Sequence, residues 1–335
     1  MNTFGTLFRI SIYGESHGNQ VSVLIDGCPV GLLICEDDFT KDILRRKSGA
    51  KGTTPRIEDD KPIIVSGVFN GFTTGAPILI SFQNKNTKSA DYNDLINTPR
   101  PGHADFTGKV KYGGFNDHRG GGHFSGRLTL GLVAAGVIAK KLINPLSVKA
   151  KLIEAGGEQD IDKAIDNAIK NEDSIGGIVE CTVNEIPVGL GEPFFNSVES
   201  IISHLVFSIP ATKGIEFGSG FQAAKMFGSQ HNDNLIDTSG KTETNFAGGI
   251  NGGITNGNPI IFRVAIKPTS SISKPQNTVN LKTGKQEELK VQGRHDACIA
   301  LRVPVVLEAV TAIAMADLLL LEQKIPRVFT SKSEK

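Results

Sequence analysis

The segment from Arg100 to Arg127 combines residue types that bind anions and transfer protons. It holds three of the seven histidines, three of the eleven arginines and eight glycines within 28 residues. Glycine lets backbone amides approach a ligand, arginine offers paired donors to phosphate or carboxylate, and histidine exchanges a proton near neutral pH. A plain flexible loop is disfavoured because aromatic and apolar residues, not Ser, Gln or Asn repeats, separate these groups. The segment therefore predicts an anion-binding catalytic site.

Two further clusters contain histidine. GESHG at Gly14 to Gly18 ends the first apolar segment, so Ser16 and His17 are expected on a turn at a strand end; a turn with a surface histidine is an equal alternative. GRHDAC at 293–298 precedes a long apolar helix, and a helix amino terminus favours anions. Asp296 could equally be the cap of that helix.

Two other segments supply cations and hydroxyls. KPTSS at Lys267 to Ser271 follows an expected strand and suits a phosphate or ribityl chain, although such a sequence is also typical of a turn. Arg45 and Arg46 lie near the end of an expected amphipathic helix, where a charged pair is most often solvated.

Known nucleotide and zinc motifs are missing from the sequence: there is no GxGxxG after a strand, no GxxxxGK[ST] and no HExxH. Metal ligation by His103, His118 and His123 with Asp105 or Asp117 remains an alternative. The nearby arginines and a lysine disfavour it, because cations repel a metal ion.

The composition limits the partners. Net charge is +1 with both signs interleaved, so no basic surface for nucleic acid or an anionic membrane is expected, and 39% apolar residues suffice for a core. Four cysteines without a CxxC pair or a leader indicate a cytoplasmic location. Glu308 and Asp317 interrupt the apolar stretch 303–321, which favours a buried core helix over a membrane span.

Three landmarks occur twice in the same order. PVGL occurs at 29–32 and 187–190, and GFTTGAPI at 71–78 matches GITNGNPI at 253–260. Arg127 and Arg302 each begin a long apolar stretch. The chain is therefore predicted to consist of two related halves.

The residue patterns predict the secondary-structure elements. β-branched runs beginning at 61, 76, 175 and 258 predict strands, and apolar stretches near 128–143 and 303–322 predict helices that must be covered on all sides. Amphipathic helices are expected near 36–47 and 160–171, and long polar loops near 84–125 and 228–252. The predicted fold is an α+β sandwich with pseudo-twofold duplication, in which both helices lie between two mainly antiparallel sheets. We expect one domain over 1–325, with halves of about 1–145 and 146–325, and a disordered tail at 326–335.

Taken together, these blocks resemble the chorismate synthase family in order from Phe4 to about Leu321. The most specific are GESHG, RPGHAD, RGGG followed by Ser and Arg, AGGINGGITNG at 247–257, KPTSS and GRHDAC. The resemblance implies a lyase of the shikimate pathway and aromatic amino acid biosynthesis. It would convert 5-enolpyruvylshikimate 3-phosphate to chorismate and phosphate by anti-1,4-elimination, with reduced FMN and no net redox change.

The resemblance also implies roles for individual residues. His17 would protonate the departing phosphate and His103 would maintain the protonation state of the reduced flavin. Asp296 would relay a proton near flavin nitrogen 5, and Ser16 would support His17. The implied FMN contacts are His123, Phe124, Ser125, Pro210, Ala211, Gly252, Lys267, Pro268, Thr269, Ser270, Ser271 and Arg294. The implied substrate cations are Arg45, Arg46, Lys51, Arg100, Arg127 and Arg294.

Two positions depart from the family pattern. Many members have Arg-Ser-Ser-Ala where this chain has residues 123–126, and many have an arginine where Lys51 stands. No added segment suggests an intrinsic flavin reductase, so a separate reductase would supply reduced FMN and NADPH would act only through it. A homotetramer without a metal is implied. The alternatives from other classes are a metal-dependent phosphohydrolase and a non-catalytic module that binds phosphorylated ligands or RNA.

Overall fold

The computed structural model describes residues 2–54, 58–86, 94–291 and 295–329. Among these residues the strands are β1 (Thr3–Phe4), β2 (Arg9–Gly14), β3 (Gln20–Asp26), β4 (Ile63–Ser66), β5 (Val68–Phe69), β6 (Phe72–Thr73), β7 (Ile78–Gln83), β8 (Ser147–Ala155), β9 (Gly177–Asn184), β10 (Thr212–Phe217), β11 (Ile250–Asn251), β12 (Ile254–Thr255), β13 (Ile260–Ile266), β14 (Gln276–Val279) and β15 (Gln286–Leu289). The α-helices are α1 (Thr40–Arg46), α2 (Asp105–Lys111), α3 (Thr129–Leu142), α4 (Ile161–Lys170), α5 (Val198–Val206), α6 (Gly228–His231) and α7 (Val303–Leu321).

Each half of the chain contributes one antiparallel sheet. The first sheet has the order β1-β2-β3-β7-β4 and the second β10-β13-β9-β8. Burial alternates along the strands, so that Val179, Cys181 and Val183 of β9 point inward while their neighbours are partly exposed. This period of two is what a sheet with one covered face requires.

The two long helices, α3 and α7, fill the space between the sheets. α3 packs on β2, β3 and β7, α7 packs on β8 and β9, and the two helices pack on each other. Seventeen of the nineteen residues of α7 are buried. The segment 299–321 is long and apolar enough to cross a membrane by composition, but almost all of it is covered by protein. The predicted α+β sandwich is confirmed.

Both acidic residues of α7 are buried and fully engaged. Glu308 accepts hydrogen bonds from Arg45 (2.6 and 2.7 Å), Lys140 (2.9 Å) and the Ala150 amide (3.0 Å). Burial alone would raise the pKa of Glu308, but the hydrogen bonds and charges of Arg45 and Lys140 outweigh it and lower the pKa. Asp317 accepts from three consecutive backbone amides, those of Thr6, Leu7 and Phe8, at 2.7–2.9 Å.

The duplication recurs in individual hydrogen bonds. Thr73 Oγ1 donates to the Pro29 carbonyl (2.7 Å) and accepts from the Leu32 amide (2.9 Å). In the second half, Thr255 Oγ1 donates to the carbonyl of Pro187 (2.6 Å) and accepts from the amide of Leu190 (2.9 Å). Both threonines are buried, so each PVGL segment is fixed to its hairpin by the same side chain.

Helices α3 and α7 pack closely against each other at Gly136. A Cβ atom placed on Gly136 would lie 2.3 Å from Ala309 Cβ and 2.5 Å from Ala309 Cα. Because backbone atoms are involved, the helices themselves would have to separate.

We therefore expect Gly136→Ala to lower the free energy of unfolding by about 2 kcal/mol. Overpacking costs up to about 3 kcal/mol, and the higher helix propensity of alanine offsets only roughly 1 kcal/mol of this cost. Chemical denaturation measures this difference. Gly228→Ala, in α6 with no atom within 4 Å of the added Cβ, is the control and should not destabilise. Equal stabilities for the two variants would contradict the close packing.

Three expectations need correction. The expected loop 84–125 contains α2, and 228–252 contains α6 and β11. The tail does not begin at 326: Val30 pairs with Val328, and the Phe329 amide donates to the Val30 carbonyl at 2.8 Å. Residues 330–335 lie outside the described chain.

Candidate active site

The triple glycine 120–122 adopts a conformation that other residues rarely take. Gly120, Gly121 and Gly122 have φ values of 59°, 80° and 53°. Three successive left-handed residues would be strained with any side chain, because the Cβ atom meets the adjacent carbonyl oxygen. The backbone conformation at 120–122 therefore requires glycine at all three positions.

This glycine segment lies between the two predicted catalytic histidines. A Cβ on Gly120 would lie 2.1 Å from His17 Nδ1, and one on Gly121 would lie 3.5 Å from His103 Nε2. His17 is on the turn between β2 and β3, and the Ser16 amide donates to the Gly122 carbonyl at 3.0 Å. His17 is 8% exposed and its Nδ1 is 3.3 Å from Ser16 Oγ. The alternative of a turn with a surface histidine is therefore wrong.

A large cavity of about 670 Å³ opens on one side of the glycine segment. Apolar side chains from β1, β2, α3 and α5 form much of its wall, and polar groups from two loops form the rest. Ten predicted FMN contacts line it together with His103: His123, Phe124, Ser125, Pro210, Ala211, Lys267, Pro268, Thr269, Ser270 and Ser271.

The KPTSS loop follows β13, as expected, and its polar groups converge on Gly102. Lys267 Nζ donates to the Gly102 carbonyl (2.8 Å) and to Ser270 Oγ (2.7 Å). Burial and then the charge of Lys213 lower the pKa of Lys267. Thr269 Oγ1 is buried and has no hydrogen-bond partner within the described chain. These groups offer donors to an anionic end of a ligand.

His103 belongs to a charged network behind the cavity wall. Asp105 Oδ1 is 2.5 Å from His103 Nδ1, and Asp105 also accepts from the Arg100 side chain at 2.8 Å. Arg100 donates further to Ser271 Oγ (2.9 Å) and does not itself line the cavity. Burial would raise the pKa of Asp105, but the hydrogen bonds from Arg100 and His103 prevail and hold this pKa well below its ordinary value.

Asp105→Asn should lower the free energy of unfolding by about 3 kcal/mol at neutral pH, because it leaves the buried Arg100 charge without its carboxylate. The pKa of Asp105 is lower in the folded than in the unfolded chain, so this stabilisation is complete above the ordinary value of 3.8 and is lost as pH falls through the folded pKa. Denaturation of both proteins at several pH values should show a difference that shrinks in acid. A difference independent of pH would contradict this assignment.

A second cavity of about 180 Å³ lies beside the first. Gly120, Ser125, Gly126 and Ile299 line both, so the cavities share a wall. The small cavity also contains Ser16, Arg46, Lys47, Ser48, Thr54, Glu58, Asp60, Arg127, Asp296 and Arg302.

Two predicted substrate cations are buried at this small cavity. Arg46 Nε donates to Thr129 Oγ1 (2.9 Å), and its Nη1 is 3.7 Å from Asp60. Burial and then the charge of Arg302 lower the pKa of Arg46. Arg127 forms an ion pair with Asp60, while its Nη2 is buried without a partner among the described residues. An incoming anion would satisfy that donor.

Asp296 lies at the small cavity and does not cap α7. Its Oδ1 accepts from the Thr54 amide at 2.9 Å, whereas Cys298 is the cap residue of the 3₁₀ helix Ile299–Arg302 that leads into α7. The capping alternative is therefore wrong.

Other predicted site residues lie elsewhere. Arg45 faces a different cavity and pairs with Glu308, and Lys51 is exposed and pairs with Asp166 at 2.6 Å. Gly252, in the turn between β11 and β12, lines neither site cavity. Arg294 lies outside the described residues.

His123 lines the large cavity, but both of its ring nitrogens have partners. Nδ1 donates to the Gly14 carbonyl at 2.8 Å and Nε2 is 3.1 Å from Asn2 Oδ1. This imidazole therefore fixes the end of β2 in place, and phosphate would compete with those contacts.

Several residues of the cavity walls are not among the predicted site residues. Phe4 and His204, which pack edge to face, line the large cavity, and Arg302 lines the small one. The sequence repeat could have pointed to Arg302, because Arg302 occupies the position in the second half that matches Arg127 in the first. Phe4 and His204 had no such signal.

The metal-site alternative is not supported. Among the residues that the structure describes, no group of three or more His, Cys, Asp or Glu side chains could hold a metal ion. Asp105 is engaged by Arg100 and His103, and Asp117 by Arg119 at 2.8 Å.

The sandwich carries two adjoining cavities, a small one lined by arginines and carboxylates and a larger one that is partly apolar. The family model described as chorismate synthase matches residues 8–320. A chorismate synthase of Chitinophaga pinensis is 64% identical over 98% of this chain and 99% of its own, and one of Dehalococcoides mccartyi is 47% identical over 98% and 99%. A solved structure titled as a chorismate synthase has a TM-score of 0.73 at 25% identity, covering 95% of this chain and 93% of that one.

The chain belongs to the chorismate synthase family. It is accordingly a lyase of aromatic amino acid biosynthesis that acts on a small molecule. The phosphohydrolase and the non-catalytic binding module have no support from these comparisons.

Proposed function

We propose that the chain converts 5-enolpyruvylshikimate 3-phosphate to chorismate and phosphate, with the substrate in the small cavity and reduced FMN in the large one. The observation that carries this assignment is the shared wall at Gly120 and Gly126, which brings the contents of both cavities together between His17 and His103.

The residues of the large cavity fit FMN. Its volume of about 670 Å³ lies within the roughly 300–1,000 Å³ of ligand pockets. Phe124, Leu128 and Ile299 offer apolar surface for a ring system, and Lys267, Ser270 and the unpartnered Thr269 hydroxyl offer donors for the ribityl phosphate. Reduced FMN, when bound, supplies electron density to the allylic system that loses phosphate.

The residues of the small cavity fit the substrate. A phosphate and two carboxylates require several cations, and arginine is the cation that binds oxyanions in pairs of hydrogen bonds. Arg46 and Arg127 are held there by Thr129 and Asp60, and the free donor of Arg127 remains to be satisfied.

The two histidines handle protons on opposite sides of the glycine segment. His17 Nδ1 lies 3.3 Å from Ser16 Oγ, and Ser16 lines the small cavity. In this proposal, the proton for the departing phosphate passes from His17 through the Ser16 hydroxyl. His103, oriented by Asp105, faces the large cavity and maintains the ionisation of the ligand there. Asp296, at the small cavity, accepts the proton that leaves carbon 6 of the substrate.

We further propose a homotetramer in the cytoplasm that receives reduced FMN from a separate, NADPH-dependent reductase. The outer face of the second sheet carries charged pairs such as Arg263 with Glu180. The outer face of β2 in the first sheet instead carries Ser11 and the exposed Tyr13, which suits contact with another copy. Light scattering of the purified protein tests the assembly.

An anaerobic assay tests the activity. Purified protein, 5-enolpyruvylshikimate 3-phosphate and dithionite-reduced FMN should give chorismate and phosphate in equal amounts, and oxidised FMN should give neither. Phosphate without chorismate, or product without a flavin requirement, would contradict the assignment.

A further inference from the structure

The small cavity contains a third arginine with no role so far. Arg302 ends the 3₁₀ helix Ile299–Arg302 immediately before α7. Arg127 has the matching place before α3, in the 3₁₀ helix Gly126–Leu128. Both side chains line the same cavity. The duplication has thus brought two equivalent arginines, one from each half, to one binding site.

Arg302 is held in place without using all of its donors. Nε donates to the Arg46 carbonyl at 3.0 Å, whereas Nη1 is 3.4 Å from Asp296 Oδ1, a long contact. No hydrogen bond from Nη2 occurs within the described ranges, and the side chain is 20% exposed. Arg45 differs in that both of its terminal nitrogens bind Glu308 at 2.6–2.7 Å. Arg302 therefore keeps a donor for a ligand.

The local charges leave the cavity short of anions. Four cations line it, Arg46, Lys47, Arg127 and Arg302, against three carboxylates, of which Asp60 and Asp296 pair with the arginines. The remaining acid of the wall, Glu58, already accepts from the amides of residues 85 and 86. Repulsion among three guanidinium groups is relieved when an anion enters.

We propose that Arg302 binds a carboxylate or phosphate oxygen of the substrate, as the counterpart of Arg127 from the second half. This inference rests on the proposed function for the identity of the substrate. Among the described residues, Arg302 is then the third guanidinium at the small cavity, together with Arg46 and Arg127.

Calorimetric titration of the FMN-loaded protein with 5-enolpyruvylshikimate 3-phosphate, with the flavin oxidised so that no turnover occurs, tests this proposal. Arg302→Gln should weaken substrate binding by about 10- to 100-fold, the usual range for a lost charged hydrogen bond. Arg302→Lys should fall between this variant and the original protein, because it keeps the charge but loses the planar fork. The affinity for FMN should stay the same in both.

Arg263→Gln is the matched control, since that arginine pairs with Glu180 on the outer face of the second sheet and lines neither cavity. It should bind substrate as the original protein does. If Arg302→Gln binds substrate with unchanged affinity, or loses substrate and FMN affinity in parallel with its melting temperature, the proposal is overturned. If Arg302→Gln does not fold, Arg302→Lys decides the question by the same criteria.

Titration with inorganic phosphate separates this inference from the proposed function. If the original protein binds phosphate but not 5-enolpyruvylshikimate 3-phosphate, the proposed substrate is wrong. In that case, weaker phosphate binding by Arg302→Gln than by the original protein would still support Arg302 as an anion ligand. If the two proteins bound phosphate equally and bound the substrate equally, the proposal for Arg302 would be overturned.

Discussion

Gly120→Ala is expected to lower the turnover of chorismate formation by about 100-fold or more, the scale of one lost proton-transfer group. The added Cβ would lie 2.1 Å from His17 Nδ1 and 2.7 Å from Ser16 Oγ, so neither side chain could keep its position. The effect is steric and local, because it displaces His17 without altering its chemistry. The measurement is the anaerobic assay with reduced FMN, and His17→Ala should show a loss of similar size.

Gly114→Ala is the matched control for this experiment. Gly114 has a φ of 81°, also left-handed, but an added Cβ would have no atom within 4 Å. It should therefore cost about 1 kcal/mol of stability from backbone strain and keep its turnover. If both variants lost activity equally, strain in the loop and not the contact with His17 would be responsible.

Asp317→Ala should have the largest effect on stability, about 3–5 kcal/mol. The side chain is 3% exposed and accepts from the amides of Thr6, Leu7 and Phe8, which would lose their partner inside the protein. Each unsatisfied buried amide costs about 1–3 kcal/mol. Phe8 is buried, whereas Thr6 and Leu7 are exposed residues, so water would recover part of the cost at those two amides. Chemical denaturation of the purified variant provides the measurement.

Asp317→Asn separates hydrogen bonding from packing, since it keeps the volume and one acceptor oxygen. We expect it to lose roughly half as much stability as Asp317→Ala. A small loss for the alanine variant, below about 1 kcal/mol, would show that the amides find other partners and that the carboxylate is dispensable.

The sequence predicted most of the fold because its signals were local or repeated. β-branched runs marked the strands β4, β7, β9 and β13, and two stretches apolar on all sides marked the central helices. Helix α2 was missed because it contains Gly108, a residue that disfavours helices. There the ring of Phe124 packs where a Cβ would be, at 2.8 Å, so a tertiary contact overrides the local preference.

The sequence predicted which segments form the site, but it predicted less well which side chains of those segments face the cavities. Arg45 and Arg46 are neighbours in the sequence, but successive residues of a helix point about 100° apart. Arg46 therefore faces the small cavity while Arg45 faces Glu308. A motif that contains both arginines cannot distinguish them, and only the packing of α1 against α3 and α7 does so.

The partners of the first residues come from the end of the chain. The amides of residues 6–8 are bound by Asp317, and Val30 pairs with Val328, about 300 positions later. During synthesis the first half leaves the ribosome long before either partner exists. Its sheet can begin to pair, but its amino-terminal segment cannot be fixed until residues 317 and 328 have left the ribosome, so this step of folding comes after most of the sheet pairing.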